Sequence, residues 1–339
     1  MRFPRIWTMT GPRRGDDAQA CALAEELRLP FESRKLLYNW RFWLGGRFMG
    51  ASAISVIDEV RRKTLVPPWP DLIIVVGKRA VPAARWVKEQ SGGGTMLVLV
   101  GHPRVDPRIF DIVYATRQYL TPEIPPVRML PVTMSPYRAP ANPTDAERAW
   151  LECLRRPLWL LMLGGETKHW KMEPSQIAGI AAKLAYRASR EGGSVVVARS
   201  ARTSDAVLDA VEARLEGDRC EWRVLRDDFP RFPVLLEGAD LLFPTADSIS
   251  MISESVISGK PVGIVRPEMS WRGHLQLGNE SRMRTNPRRD LRRFWNFLLD
   301  NQLAGTMEEP RASNTPNPVG AAAKEVRALL EGRFGELPA

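Results

Sequence analysis

Residues 239–265, ADLLFPTADSISMISESVISGKPVGIV, decide how the chain is read. They spell strand, turn, helix, turn, strand. Leu241, Leu242 and Phe243 form a short apolar run of the kind buried in a parallel sheet. Pro244 ends it, and Thr245 to Ser248 supply turn and N-cap residues. In the helix that follows, Asp247, Ser250, Glu254 and Ser258 recur at helical spacing and share one face, while Ile249, Ile252 and Val256 share the face toward the sheet. Gly259 stops the helix, Pro261 follows, and residues 262–265 re-enter a strand. The result is a helix N-terminus with free N–H groups, and a carboxylate two turns in, at the C-terminal end of a parallel strand. That geometry suits a phosphate and a ribose. An ordinary βαβ unit with a polar outer face has the same spacing.

The same alternation extends over the whole chain. Strands are expected at residues 6–9, 71–77, 96–100 and 110–114, with a helix at 18–27 after the loop GPRRGDD. The proline-rich stretch at 122–143 reads as a linker. Beyond it come a helix at 145–154, strands at 158–163, 194–198 and 220–225, and a helix at 175–190. Residues 308–320 read as loop and 321–330 as a last helix. βα alternation on both sides of a linker implies two doubly wound parallel sheets. The expected division is 1–135, a linker at 136–147, 148–305, and a tail at 306–339 that packs back on the first domain.

A chain of 339 residues with 44% apolar content has room for two packed cores. No apolar run reaches the ~20 residues of a membrane span, and the N-terminus lacks a signal-peptide pattern, so a cytoplasmic protein is expected, peripheral on the inner membrane face if it meets a membrane. Cys21, Cys153 and Cys220 are isolated, which points away from a disulfide framework or a zinc site. The formal charge of +10 divides as +8 over residues 1–150 and +2 over the rest. The basic excess is thus read into the first half, where an acidic partner is expected.

Both halves place glycines after a strand. In the first, Gly11 and Gly15 lead to Asp16 and Asp17, either of which can cap the helix or act as a general base on an acceptor hydroxyl. In the second, Gly164 and Gly165 precede Thr167 and Lys168 and read as a phosphate cradle, although a Gly-Gly turn needs no ligand. The strand at 194–198 ends in Arg199-Ser200-Ala201-Arg202-Thr203-Ser204, at the same sheet edge. Three converging loops offering N–H groups, guanidinium and hydroxyls suit a pyrophosphate. His169, a solitary histidine, is read as structural. No DxD triplet occurs, which disfavours a sugar transfer that holds its diphosphate through a metal ion.

Residues 36–52, LLYNWRFWLGGRFMGAS, interleave Tyr38, Trp40, Phe42, Trp43 and Phe48 with Arg41 and Arg47. Rings with guanidinium suit a membrane interface, and equally the stacking of single-stranded nucleic acid or plain core packing.

GDDAQACALAEEL, PDLIIVVGKRAVPAA, HPRVDPRIFD, LMLGGETKHWKM, VVVARSARTSD and PTADSISMISESVISGKPV occur in an order that resembles the mitochondrial-fission (elongated mitochondria) family, whose bacterial members are described as glycosyltransferases. The resemblance spans most of residues 5–300 and implies an α/β GT-B-like fold: two Rossmann-like doubly wound parallel-sheet domains facing a cleft, with the nucleotide-sugar donor on the second. The segment around Ser253, Glu254, Gly259, Lys260 and Pro261 is similar to the donor loop of the enzyme that adds N-acetylglucosamine to lipid-linked peptidoglycan precursors. By that similarity Glu254 would bond the ribose, and Gly164-Gly165 would face the diphosphate. Where the family carries a His-Asp pair after the strand at Asp111, this chain reads Ala115-Thr116-Arg117-Gln118.

The resulting expectation is a metal-independent glycosyltransferase with no cofactor beyond its nucleotide-diphosphate sugar. Asp16 or Asp17 is the base. Gly164, Gly165, Thr167, Arg202, Ser248, Ser250 and Glu254 contact the donor. Trp40, Arg41, Trp43 and Arg47 meet an anionic membrane surface or a lipid-linked envelope acceptor. The alternatives are a membrane-associated scaffold without chemistry, a nucleotide-sugar 2-epimerase, and, least favoured, a nucleic-acid binder.

Overall fold

The computed structural model describes residues 3–11, 14–44, 46–137, 139 and 141–338, the side chains of residues 14–16, 46 and 47 excepted. The chain divides into two units, Met1–Pro136 with Asn317–Ala339, and Tyr137–Pro316.

In the first unit, six strands form one parallel sheet in the order β2-β1-β3-β4-β5-β6. They are β1 (Ile6–Thr10), β2 (Phe31–Lys35), β3 (Leu72–Val76), β4 (Met96–Val100), β5 (Ile112–Ala115) and β6 (Val127–Met129). Helix α1 (Arg14–Glu26) crosses from β1 to β2, α2 (Gly46–Met49) and α3 (Asp58–Thr64) precede β3, and α4 (Gly77–Gln90) crosses from β3 to β4. β1, β3 and β4 are buried on both faces because helices cover both, and β3 and β4 are apolar throughout. One core joins Leu23, Leu27, Ile74 and Val98 to Ala322, Val326 and Leu330 of the C-terminal helix. The other joins Trp7, Ile73 and Leu99 to Val81, Ala84 and Val87 of α4. Full burial of each such aliphatic side chain contributes about 1.5–3 kcal/mol.

Two elements depart from the sequence reading. The stretch at 122–143 holds β6, whose Val127 pairs with Val113, so the linker expectation is wrong for the part that closes the sheet. Residues 31–35, FESRK, form the edge strand β2. Its outer side is solvated, so charged residues are tolerated and no apolar run announces it.

The second unit carries β7 (Leu158–Met162), β8 (Ser194–Ala198), β9 (Glu221–Leu225) and β10 (Leu241–Pro244), all parallel, in the order β10-β7-β8-β9. The helices are α5 (Asp145–Glu152), α6 (Pro174–Arg190), α7 (Asp205–Leu215), α8 (Phe232–Gly238), α9 (Ile249–Ile257), α10 (Trp271–Leu277), α11 (Glu280–Met283) and α12 (Leu291–Asp300). The short strands β11 (Gly263–Ile264) and β12 (Gly305–Thr306) pair with each other, and single bridges from Val262 and Val265 tie them to β10. The strand expected at 262–265 is therefore real but only two residues long as a ladder. Ile249, Ile252 and Val256 are buried, as the helical spacing predicts. The core of this unit packs Trp159, Leu161, Val195 and Val197 against Ile177, Ala181 and Leu184 of α6 and Leu208 and Val211 of α7. Helix α13 (Val319–Phe334) then returns the chain to the first unit, where the Tyr114 hydroxyl donates to Ala322 O at 3.1 Å.

Candidate functional site

In each sheet the strand order reverses beside the first strand: between β1 and β3 in one unit, and between β7 and β10 in the other. At such a switch the flanking loops diverge above the carboxyl ends and leave a crevice.

In the second unit the loops after β7, β8 and β10 meet at one buried carboxylate. Asp247 Oδ2 accepts from Gly165 N–H at 3.0 Å and from Arg202 Nη2 at 2.8 Å. Its Oδ1 accepts from the Thr245 hydroxyl at 2.8 Å, and Thr245 Oγ1 accepts from Gly164 N–H at 2.8 Å. Arg202 Nη1 also donates to Gly165 O at 3.1 Å. Ser200 and Thr203 donate to Gly164 O at 3.0 and 2.6 Å. The Asp247 side chain is 0% exposed, whereas that of Arg202 is 45% exposed. A buried carboxylate satisfied by one guanidinium, one amide and one hydroxyl is a rigid node, since losing any partner exposes the cost of an unpaired buried charge.

This node explains the two glycines. A Cβ on Gly164 would meet Asp247 Oδ2 at 2.2 Å, and one on Gly165 would meet Arg202 O at 2.2 Å. The pair is required by close approach of the chain to itself. The amide groups read from sequence as a phosphate cradle already serve Thr245 and Asp247. Likewise Thr167 is held in a local turn, its N–H donating to Trp170 O at 3.0 Å and its Oγ1 accepting from Trp170 N–H at 3.2 Å. Asp247 precedes α9 and is buried beneath the loops, so it does not share the polar face of Ser250 and Glu254. Ser248 occupies the N-cap of α9 without a side-chain cap bond, and Ser248, Ser250 and Glu254 are all half-buried. Trp295 Nε1 donates to Ala246 O at 2.8 Å, fixing the turn between β10 and α9.

The edge of the first sheet is built differently. Asp17 Oδ1 accepts from Gly11 N–H at 2.7 Å, so the carboxylate ties the loop after β1 to its own helix. The side chains of Asp16 and Arg47 lie outside the described residues. Tyr38 packs near Gly11, and burial pushes its phenol well above the usual range. The Arg79 guanidinium sits 4.4 Å from the Phe42 ring centre. Around these groups Trp40 is 70% exposed, Trp43 77% and Phe48 84%, and Arg41 is exposed beside Trp40. After β4, His102 Nδ1 lies 2.9 Å from Thr121 Oγ1 and its ring stacks on Tyr119. Burial, helped by Arg104, lowers its pKa to about 4, so the imidazole is neutral at pH 7.

Sequence reasoning brought the hydroxyls of Ser200 and Thr203 to this edge but missed Thr245 as a member of the node and His102 at the first edge. The hydroxyl at the end of β10 was the available signal for Thr245. Among the described residues there is no acidic, cysteine or histidine cluster that would hold a metal ion, and no helix long and apolar enough to cross a membrane.

A family profile described as "Mitochondrial fission ELM1" matches residues 14–307. An uncharacterised protein of Rickettsia prowazekii, RP120, is 22% identical over 300 residues, covering 77% of this chain and 83% of that protein. Among solved structures, a candidate UDP-N-acetylglucosamine 2-epimerase of Listeria monocytogenes aligns over 99% of this chain and 98% of its own, with TM-score 0.56 and 16% identity. A UDP-GlcNAc 2-epimerase of Neisseria meningitidis, bound to UDP-GlcNAc, gives 97% and 100%, TM-score 0.52 and 12% identity. A UDP-glucosyltransferase of Polygonum tinctorium gives 97% and 94%, TM-score 0.51 and 11% identity. At these identities the likeness establishes the fold, which is GT-B-like.

Proposed function

This chain belongs to the mitochondrial fission ELM1 family, and from that premise we propose that it is a nucleotide-sugar enzyme, a glycosyltransferase that moves a sugar from a nucleoside-diphosphate donor to an envelope lipid or lipid-linked glycan. The observation that carries the reading is the node at the β7/β10 switch, with a buried Asp247 holding a half-exposed Arg202. The bonds to Gly165 and Asp247 use two of the five N–H donors of that guanidinium. The remaining donors, aimed from a fixed position, suit the oxygens of a diphosphate. The uncapped N-terminus of α9, with Ser248 and Ser250, adds donors for the same group, and Glu254 accepts from ribose hydroxyls.

In this mechanism negative charge grows on the β-phosphate as its bond to the sugar breaks, and Arg202 stabilises it without reorganising. The proton of the attacking hydroxyl passes to Asp17 or Asp16. Metal independence rests on the absence of a DxD triplet from the sequence. The exposed rings of Trp40 and Trp43, with Arg41, support an acceptor presented at an anionic membrane surface on the cytoplasmic side.

Calorimetry tests the donor site. UDP is expected to bind the wild-type chain, and Arg202→Ala to weaken it about tenfold to a hundredfold. Absence of heat with UDP and with other nucleoside diphosphates would overturn the reading. A second reading, 2-epimerisation, is supported by the 2-epimerases that align over nearly the whole chain. Incubation with UDP-GlcNAc and no acceptor separates the two, since only an epimerase yields a new nucleotide sugar.

A further inference from the structure

The small net charge of the second half conceals a concentrated basic segment. Residues 266–293 carry eight arginines against Glu268, Glu280 and Asp290. Two of the eight are structural. Arg292 is nearly buried and bonds Asp290 at 2.7 Å and Gly278 O at 2.9 Å. Arg293 gathers backbone carbonyls, with Nε donating to Met283 O at 2.7 Å, Nη1 to Arg288 O at 2.9 Å and Nη2 to Asn286 O at 2.5 Å. The loop at 283–288 is thereby wrapped around a guanidinium, with its carbonyls turned inward. Asn286 Nδ2 donates to Gln276 O at 2.7 Å and ties the loop to α10.

Outside this wrapped loop lies a cavity of about 510 Å³, lined by Gln276, Arg282, Asn286 and Arg288, with Leu275 at its rim. Arg272, Arg282, Arg284, Arg288 and Arg289 are exposed and make no ion pair among the described residues. Arg282 and Arg288 line the cavity and the other three lie close by in sequence, and unpaired guanidinium groups at a polar cavity call for an anion. Trp271 and Leu275, one helical turn apart on α10, are 66% and 67% exposed beside it. The Arg272 guanidinium lies 5.1 Å from the Trp271 ring centre. Apolar groups standing in solvent at the mouth of a cationic cavity match a ligand with a phosphate head and a hydrocarbon tail.

We propose that the Arg282–Arg288 cavity of the second unit receives the phosphate of an anionic lipid headgroup, with Trp271 and Leu275 entering the acyl region. The cavity uses none of the residues assigned to the donor, so the inference stands apart from the nucleotide-sugar reading.

The test uses the full chain carrying Trp40→Ala/Trp43→Ala, which removes the aromatic patch of the first unit. Co-flotation is measured with vesicles of phosphatidylcholine alone and with added phosphatidylglycerol. Binding is expected only with phosphatidylglycerol. Adding Arg282→Ala/Arg288→Ala should weaken it roughly thirtyfold, and Arg282→Lys/Arg288→Lys should restore most of it. Trp271→Ala/Leu275→Ala should lower vesicle binding while leaving any heat with glycerol phosphate unchanged. UDP affinity should be the same in every variant. Vesicle binding unaffected by the arginine pair overturns the proposal. So does inorganic phosphate binding lost in the arginine variant without vesicle binding, which would mark a site for soluble phosphate. A parallel loss of UDP binding would make the cavity part of the donor site and also overturn it. Circular dichroism of each variant separates these outcomes from misfolding.

Discussion

The carboxyl ends of the two parallel sheets share a topology and differ in substance. The edge in the second unit is closed over a buried ionic node, in which every loop is held by another: Gly165 by Asp247, Asp247 by Arg202 and Thr245, Gly164 by Ser200 and Thr203. The edge in the first unit is aromatic among the described residues, with the Asp17 carboxylate accepting from Gly11 N–H and rings standing in solvent. A ligand that must be positioned to a fraction of an ångström is served by the first kind of edge, and one that is large and amphiphilic by the second. The same strand–loop–helix grammar therefore yields a rigid polar seat or an adaptable apolar face, according to whether charge or aromatic surface fills the loops.

The difference can be attacked in four ways, in falling order of effect. Leu330→Ala in α13 removes a fully buried side chain from the core under the first edge, and should cost about 2–5 kcal/mol. Denaturant unfolding should show the loss in a transition assigned to the first unit, with the second unchanged; a uniform shift of both would break the division. Next, Gly165→Ala should cost about 1–3 kcal/mol or more, because the new methyl meets the Arg202 carbonyl, whereas Gly11→Ala, whose nearest neighbour is Tyr38 Cε2 at 3.8 Å, should be close to neutral. Equal costs would mean that the two edges are equally tight.

Asp247→Ala should cost about 1–3 kcal/mol by stranding the Gly165 amide and Thr245 hydroxyl, and should abolish UDP binding with Arg202 still present. Asp17→Ala should cost about 1 kcal/mol. The smallest effect is one of pH. The His102 pKa is lowered to about 4 from the ordinary 6.5, so the unfolded chain takes up a proton that the folded chain refuses. The contribution of His102 to stability is full above pH 6.5 and is lost as pH falls toward 4. Thermal melts at pH 7 and pH 4.5 should show a larger drop for wild type than for His102→Asn; identical drops would show that His102 is not the group responsible.

Most strands of both sheets were legible in the sequence because a parallel strand covered on both faces is a plain apolar run: LIIVV, MLVLV, LWLLM and SVVVA all lie where that signal puts them. β2 and β6 were not, one being a solvated edge and the other three residues among prolines. The convergence of Gly164, Gly165, Arg202 and Asp247 followed from the strand reading, which puts their loops at one sheet edge, but their pairing did not. Sequence spacing placed Asp247 on a solvent-facing helix, because only the fold shows that the turn before α9 folds inward onto the loop after β7. The arginines of 266–293 were hidden by averaging charge over half the chain.

The return of α13 to the first unit fixes an order of events at the ribosome. The sheet of residues 6–129 is synthesised early, yet the helix that covers Leu23, Leu27 and Ile74 is encoded after residue 317, behind the whole of the second unit. Until residues 319–334 have been made, an apolar sheet face lacks its lid, while the second unit has every segment it needs as soon as it emerges. The later-made unit thus completes its core before the earlier one, and the nascent chain carries a sticky surface while residues 137–316 are being made, a window in which a chaperone or a membrane can engage it.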